Sequence, residues 1–242
     1  MNALLAGYFP GAYPGEDASL DLLEKAAVDL DILEIGYPSN NPSCDGEIIS
    51  NAHKEIMSRG CPDLSYWQKL RYIVKKPLWI MAYKKDFIDS GLYHSFADMG
   101  LCDVFVLPDC SDAERIKLSE ELAPKNIDVM GFANPTVPME NFKHTAKKYK
   151  SIYFQLYVGR TGSEEAGTRA ESNLLPYLET ARAFPNLKVF AGFGITTAER
   201  SRQLIEQGFD GVIIGTAFLK ALNESEKKLL GLIRDIARAI KT

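Results

Sequence analysis

Short apolar runs alternate with amphipathic segments along the whole chain. An apolar run of about four to eight residues between turn residues is typical of a buried strand, whereas apolar residues three or four positions apart predict a helix with one buried face. The pattern predicts eight strands, at residues 3–7, 32–36, 78–82, 104–107, 128–133, 152–156, 188–191 and 211–214. Helices are predicted in every interval and after the last strand, at residues 19–28, 48–59, 64–74, 90–99, 113–123, 140–149, 171–183, 197–206, 217–222 and 225–240.

This alternation predicts the fold class. Eight strands, each followed by at least one helix, are the arrangement of a (β/α)8 TIM barrel, which is an α/β fold. A doubly wound parallel sheet also alternates strands and helices and is the alternative. The 242 residues are a typical length for one barrel. Because no Pro-, Gly- or Ser-rich linker or low-complexity tract divides the chain, we expect a single domain over residues 1–242.

Composition and charge exclude several classes of function. With 46% hydrophobic and 25% charged residues, the chain has the composition of a soluble globular protein. A net charge of −4 and the lack of a basic run argue against a nucleic-acid partner. No stretch approaches the roughly 20 apolar residues of a membrane helix. The N-terminal apolar run is short and has no basic flank, so we expect no signal peptide, no membrane contact and a cytoplasmic location.

The cysteines and histidines give no metal or catalytic signal. Four cysteines lack metal-ligand spacing, since no C-x-x-C is present, and are expected to be reduced thiols: Cys44, Cys61, Cys102 and Cys110. Three histidines fall in predicted helices, where a solvent-exposed face is the default: His53, His94 and His144.

The clearest chemical signal lies in residues 31–46, which read D-I-L-E-I-G-Y-P-S-N-N-P-S-C-D-G. Glu34 stands inside a short apolar run that predicts a fully buried strand. Burying an ionised carboxylate without partners costs several kcal/mol or raises its pKa until it is neutral. Asp45 follows in the loop after that strand. A carboxyl at a strand end and a second one on the next loop suit general acid/base catalysis. Otherwise, Glu34 belongs to a polar barrel layer and Asp45-Gly46 is an ordinary turn.

Other polar and aromatic residues also follow predicted strands. Tyr83 ends the third strand, Asp109 lies just past the fourth, and Tyr157 and Arg160 follow the sixth. The C-terminal ends of barrel strands form the active-site mouth, so we expect these residues to face it. A tyrosine at a strand end packs as often as it contacts a ligand, so both roles stay open.

The last two strands end in glycine clusters, A-G-F-G-I at residues 191–195 and G-T-A at residues 215–217. Glycine lets the backbone approach a ligand closely. Gly215-Thr216 also opens a predicted helix, whose first amides and dipole favour an anion. Since the loops after strands 7 and 8 of a barrel often bind phosphate, Gly194, Gly215 and Thr216 are predicted to do so.

Together these segments resemble the tryptophan synthase α-subunit family. L-E-I-G-Y-P-S-N-N-P-S-C-D-G is similar to that family's E-L-G-x-P-F-S-D-P-x-A-D-G. A-G-F-G-I and G-V-I-I-G-T-A resemble its two phosphate loops, in the same order and at compatible separations. Weaker matches to L-A-G, L-P-D and A-N-P-T extend the resemblance over nearly the whole chain.

The resemblance implies an activity and roles for residues. The family cleaves indole-3-glycerol phosphate to indole and glyceraldehyde 3-phosphate by a retro-aldol reaction with no metal and no organic cofactor. Glu34 would move protons at the indole carbon and the adjacent hydroxyl, and Asp45 would bind the indole N–H and stabilise the cationic intermediate. The predicted phosphate residues would hold the phosphate, and an aromatic pocket would be lined by Tyr83, Tyr157 and Phe193.

Departures from the family pattern concern the substrate and the partner. The segment after the first predicted strand, from Tyr8 to Ala18, is longer than in relatives. After the sixth strand, relatives carry a mobile G-V-T-G loop whose threonine meets the catalytic aspartate, whereas residues 159–167 read G-R-T-G-S-E-E-A-G. Glu165 aligns with the phosphate-binding glycine, where an acid would repel an anion. The family's partner is a PLP-dependent β subunit, and these changes predict weak stimulation by one.

Three hypotheses compete. The first is a carbon–carbon lyase of the α-subunit type acting on indole-3-glycerol phosphate. The second is a divergent paralogue in specialised metabolism that acts on another ring bearing a glycerol phosphate. The third is a non-catalytic subunit that binds a phosphate ligand or activates a partner. Retention of both Glu34 and Asp45 argues against the third, because neither is needed for folding and burying Glu34 is costly.

Overall fold

The structure is a computed structural model that describes residues 3–157, 159, 161 and 174–241. Its strands are β1 Leu4–Pro10, β2 Ile32–Gly36, β3 Leu78–Met81, β4 Val104–Val106, β5 Asp128–Val129, β6 Gly131–Ala133, β7 Ser151–Gln155, β8 Lys188–Gly192 and β9 Gly211–Ile214. Its helices are α1 Glu16–Ala26, α2 Glu47–Arg59, α3 Leu64–Ile73, α4 Lys84–Phe87, α5 Leu92–Asp98, α6 Asp112–Leu122, α7 Met139–Lys148, α8 Leu175–Ala181, α9 Ala198–Gln207, α10 Thr216–Glu224 and α11 Glu226–Lys241.

The strands form one parallel sheet that curves into a nearly closed barrel, which confirms the predicted TIM barrel over the doubly wound alternative. The sheet order is β5-β4-β3-β2-β1-β9-β8-β7-β6, and every pair is parallel. The two ends of this order are consecutive in the chain, so the barrel closes where β5 passes into β6. No helix in the described part of the chain is long and apolar enough to cross a membrane.

The fifth predicted strand, residues 128–133, differs from the expectation because it is two short strands. β5 pairs with β4, whereas β6 pairs with β7. The change of partner occurs at Met130, whose N–H still donates to the carbonyl of Phe105 at 2.9 Å. The next residue, Gly131, has room for no side chain, because an added Cβ would lie 2.6 Å from the ring of Tyr149. The bend at this position closes the barrel.

Strand β1 extends beyond its predicted end at residue 7 and includes Tyr8. Its register pairs Tyr8 with Glu34 of β2, and Glu34 in turn pairs with Trp79 of β3. Side chains two positions apart on a strand share a face. Trp79 packs edge to face on Phe190 of β8, with 5.0 Å between ring centroids, and fills the barrel interior. Met81, two positions beyond Trp79, lines the open end of the barrel.

Candidate active site

A cavity of about 320 Å³ lies among the C-terminal ends of the strands. Glu34 of β2 and Asp45 of the following loop both line it. Because β2 is buried along its whole length, Glu34 is only 2% exposed, and Asp45 is 3% exposed. The structure therefore brings together, in one cavity, the two carboxyl groups that the sequence suggested.

Glu34 has the environment of a carboxylic acid rather than a carboxylate. Its Oε2 atom has no hydrogen-bond partner among the described residues. Burial raises the pKa of Glu34 to about 8, with a further contribution from the negative charge of Asp45. A carboxyl without donors in an apolar site is most stable in its neutral form, so Glu34 holds a proton at pH 7.

Asp45 lies in the same cavity but has hydrogen-bond donors. The hydroxyl of Tyr83 donates to Oδ2 at 2.7 Å, and the hydroxyl of Thr161 lies 3.5 Å from Oδ1. Burial raises the pKa of Asp45 to about 6, while these two donors oppose the rise. Asp45 is therefore mostly ionised at pH 7. Two carboxyl groups whose environments separate their pKa values are a recurrent acid/base arrangement.

The cavity has an aromatic wall. Tyr157 and Phe193 line it as predicted, with ring centroids 5.5 Å apart in an edge-to-face contact. Phe193 has a φ of 76°, which is unusual for a bulky residue and marks a constrained backbone at the site. Phe132 and Tyr153 also line the cavity and stack at 5.5 Å. Such rings offer a flat aromatic ligand apolar faces and edges to pack against.

Gly194, Gly215 and Thr216 line the same cavity. Thr216 is the first residue of α10, whose first-turn amides lack intrahelical partners. A Cβ on Gly194 or on Gly215 would lie 3.0 Å from the ring of Tyr157 or Tyr8, respectively, and Gly194 has a φ of 71°. Both positions therefore favour glycine, and the three residues form an end of the cavity suited to an anion.

A sequence profile described as "Tryptophan synthase alpha chain" matches residues 2–239, which is nearly the entire sequence. The chain belongs to that family. The alpha chain of Campylobacter jejuni strain 81-176 is 30% identical over 230 residues, which cover 93% of this chain and 89% of the relative. The alpha chain of Petrotoga mobilis is 25% identical over 238 residues, covering 93% and 90%.

Solved structures agree with this assignment. The Campylobacter jejuni tryptophan synthase alpha subunit is 27% identical, with a TM-score of 0.82 over 97% of this chain and 96% of the neighbour. A Mycobacterium tuberculosis tryptophan synthase structure has a TM-score of 0.86 over 100% and 93% at 22% identity, which shows the fold. The predicted family, the barrel and the lyase class are confirmed, and this chain is a lyase of the tryptophan synthase α type.

At Thr161, the chain after β7 keeps more of the tryptophan synthase α pattern than the sequence suggested. Thr161 approaches Asp45, and its hydroxyl oxygen accepts the N–H of Gly46 at 2.8 Å. It thus takes the position of the threonine in the family's G-V-T-G. The next glycine of that motif then aligns with Gly162, so its alignment with Glu165 is wrong. Gly162, Glu165 and the predicted mouth residue Arg160 all lie outside the described residues.

Three other residues differ from their predicted positions. Tyr83 does not line the cavity; it lies behind Asp45, where its hydroxyl donates to the carboxylate and accepts the Cys44 N–H at 3.2 Å. Asp109 is exposed and accepts the N–H of Lys84 at the start of α4, so its role is to cap that short helix. His53 is fully buried, and the prediction that it is solvent-exposed is wrong.

Lys220 is a functional candidate that the sequence reading missed. It is the only Lys, Arg or His among the described residues that line the cavity. It lies four positions after Thr216 on α10, and residues four apart share a helix face. Its ammonium group forms no ion pair with the other described residues. That i, i+4 spacing from a predicted phosphate residue is the signal that could have identified it.

We expect Lys220→Met to raise KM for a phosphate-bearing substrate about 10- to 100-fold, because a hydrogen bond to a charged group contributes roughly 1.5–3 kcal/mol. Turnover at saturation should change little, since the phosphate is remote from the reacting carbon. Steady-state kinetics measure both. Lys227→Met, on the exposed start of α11, is the matched control. An unchanged KM in Lys220→Met would show that the lysine does not bind the phosphate.

Among the described residues, no three His, Cys, Asp or Glu side chains are grouped to hold a metal ion.

Proposed function

We propose that this chain cleaves indole-3-glycerol phosphate to indole and glyceraldehyde 3-phosphate, with Glu34 as acid and base and Asp45 as the charge partner of the ring. The observation that carries the proposal is the pair of buried carboxyl groups with different proton affinities in one cavity. The aromatic wall accommodates the indole ring, and the glycine-rich end accommodates the phosphate.

The proposed reaction begins with proton transfer. Neutral Glu34 donates its proton to C3 of the indole, and the ring becomes a cation whose charge is shared with its nitrogen. Ionised Asp45 accepts a hydrogen bond from that N–H and stabilises the cation. Because Tyr83 and Thr161 hold the carboxylate in place, it need not reorganise as the charge develops.

Cleavage then regenerates the starting form of the enzyme. The Glu34 carboxylate removes the proton from the hydroxyl next to the ring. The oxygen forms the aldehyde carbonyl as the carbon–carbon bond breaks, and the electrons of that bond return to the indole ring. Glu34 ends protonated and Asp45 ends ionised, so the reaction consumes no water and no external acid or base.

This assignment predicts a bell-shaped dependence of kcat/KM on pH. Activity should rise through pH about 6 as Asp45 loses its proton and fall through pH about 8 as Glu34 loses its own. Since the two groups interact, the apparent pKa values of the rise and of the fall describe the pair and not either residue alone. Indole release measured from pH 5 to pH 9 provides the test. Activity that keeps rising up to pH 9 would contradict an acid role for Glu34.

The function itself is tested by assaying indole release from indole-3-glycerol phosphate by the purified chain, alone and with a tryptophan synthase β subunit. We also propose that the chain binds such a subunit, since a structural neighbour from Pyrococcus furiosus, 20% identical with a TM-score of 0.83, is described as part of an α2β2 complex. Weak stimulation stays the prediction, because two carboxylates, Glu164 and Glu165, follow Thr161 in the sequence. Release of no indole under either condition would overturn the proposal.

A second candidate function is cleavage of a related glycerol phosphate with a polar ring. The carboxamide of Gln155 lines the cavity and makes no hydrogen bond to the other described residues. A site that hydrogen-bonds a substrate group strongly disfavours an analogue without it. A panel of hydroxylated and unsubstituted indole-3-glycerol phosphates distinguishes the two candidates by kcat/KM.

A further inference from the structure

A buried histidine lies next to the cavity and has a defined tautomer. His53 of α2 is 0% exposed, and the N–H of Ser39 donates to its Nδ1 at 3.1 Å. A backbone N–H can only donate, so Nδ1 carries no proton and the neutral ring has its proton on Nε2. Nε2 lies 3.1 Å from the hydroxyl oxygen of Tyr8. The direction of this bond follows: His53 donates and Tyr8 accepts.

The hydroxyl of Tyr8 is thereby left with its own proton to donate. No described protein atom accepts that proton. Tyr8 lines the catalytic cavity and pairs with Glu34 across β1 and β2. The phenol is therefore a hydrogen-bond donor held at the site by the histidine behind it.

Both members of this pair lie near the Asp45 carboxylate. Nε2 of His53 is 3.9 Å from Oδ2 of Asp45, the same oxygen that accepts the hydroxyl of Tyr83. Tyr8 and Asp45 both line the cavity, and the charge of Asp45 contributes to the raised pKa of the Tyr8 hydroxyl. Because the N–H of His53 donates to Tyr8, it holds the phenol beside Asp45, and the phenolic O–H is the dipole available to this buried negative charge.

We propose that Tyr8 and His53 form a positioning pair that keeps the Asp45 carboxylate ionised and oriented towards the ring nitrogen of the substrate. The orientation towards substrate rests on the proposed function, whereas the effect on ionisation does not. His53 is not among the residues that line the cavity, so it acts through Tyr8 and not by contact with the substrate.

At neutral pH the imidazole of His53 is neutral and the hydroxyl of Tyr8 keeps its proton. Burial lowers the pKa of His53 to about 4, although the nearby charge of Asp86 on α4 opposes the shift, so the imidazole is neutral. Burial raises the pKa of Tyr8 well above its usual range. The negative charge of Asp45 raises it further, as do those of Tyr83, Glu34 and Tyr153 when they are ionised. The Glu34 and Asp45 carboxyls, by contrast, have pKa values on either side of neutral pH, at about 8 and about 6.

The experiment compares Tyr8→Phe, His53→Leu, His53→Gln and the Tyr8→Phe/His53→Leu double variant. The pKa of Asp45 is read from its carboxyl ¹³C shift in labelled protein, with the signal assigned by its loss in Asp45→Asn. We expect Tyr8→Phe and His53→Leu each to raise this pKa and move the acidic limb of kcat/KM to higher pH. Each should lower kcat/KM by up to about 100-fold, as misplacement of a catalytic group can.

The double variant and His53→Gln distinguish a positioning role from a general loss of stability. Because His53 acts through Tyr8, the double variant should be no worse than the worse single variant. His53→Gln retains an N–H donor and should recover part of the activity. Tyr72 and His144 are exposed, so Tyr72→Phe and His144→Gln are the matched controls. They should change neither the pKa of Asp45 nor kcat/KM.

An Asp45 pKa that is the same in wild type, Tyr8→Phe and His53→Leu would overturn the proposal, as would effects that multiply in the double variant. The ¹³C titration does not depend on turnover. If the wild type releases no indole but the pKa shifts appear, the proposed function fails while the positioning pair stands.

Discussion

Replacing Glu34 with Gln is expected to reduce indole release by about 10²- to 10⁴-fold, the usual contribution of a general acid and base. The amide keeps the size of the side chain but can neither give a proton to the indole carbon nor take one from the hydroxyl. The measurement is single-turnover release of indole, which isolates the chemical step. Turnover within threefold of wild type would exclude Glu34 as the proton carrier.

The control for this prediction is the free energy of unfolding of Glu34→Gln, measured as a function of pH. The folded pKa of Glu34, about 8, is above its ordinary value of 4.5, so its favourable contribution to folding is complete below pH 4.5 and is lost as pH rises through 8. The loss is about 1.4 kcal/mol per pH unit within that window. Glu34→Gln has no such titration. Its free energy of unfolding should therefore fall less than that of wild type between pH 5 and pH 8.

Much of the fold could be predicted because local patterns determine it. The short apolar runs identified the strands, and their alternation with amphipathic segments identified the barrel. The split of residues 128–133 into β5 and β6 was not predictable, since it depends on which neighbours pair with each half. The end of β1 was also missed: a strand continuing to Pro10 reads like a turn in the sequence, yet its place between β2 and β9 makes it part of the sheet.

The residues of the candidate site likewise fall into those with a local sequence signal and those that only the fold brings together. Glu34, Asp45, Gly194, Gly215 and Thr216 were identifiable because each lies near a strand end or in the loop that follows it, with a local signal. Lys220 had a local signal, its spacing from Thr216, that went unused. The remaining contributors meet the site only through distant parts of the chain: Tyr8, His53, Phe132, Tyr153 and Thr161. A polar residue on a helix is exposed by default, and only the packing of α2 against the barrel reverses that default for the buried histidine.

Asp45→Asn is expected to reduce kcat about 10²- to 10³-fold, the usual effect of removing one group that stabilises developing charge. The amide oxygen can still accept the indole N–H, so KM should change little. What the amide lacks is the negative charge that favours the ring cation over the neutral ring. Steady-state kinetics with indole-3-glycerol phosphate separate the two parameters.

The pH profile of this variant makes the prediction specific. If Asp45 is the group that must lose a proton, the rise of kcat/KM through pH about 6 should disappear in Asp45→Asn. The fall of kcat/KM at higher pH, as Glu34 loses its proton, should remain. That fall should move to lower pH, because the charge of Asp45 contributes to the raised pKa of Glu34. Tyr83→Phe, which keeps the carboxylate but removes its 2.7 Å donor, should instead keep the rise and shift it upward. An acidic limb that persists unchanged in Asp45→Asn would assign it to another group and remove the charge-partner role from Asp45.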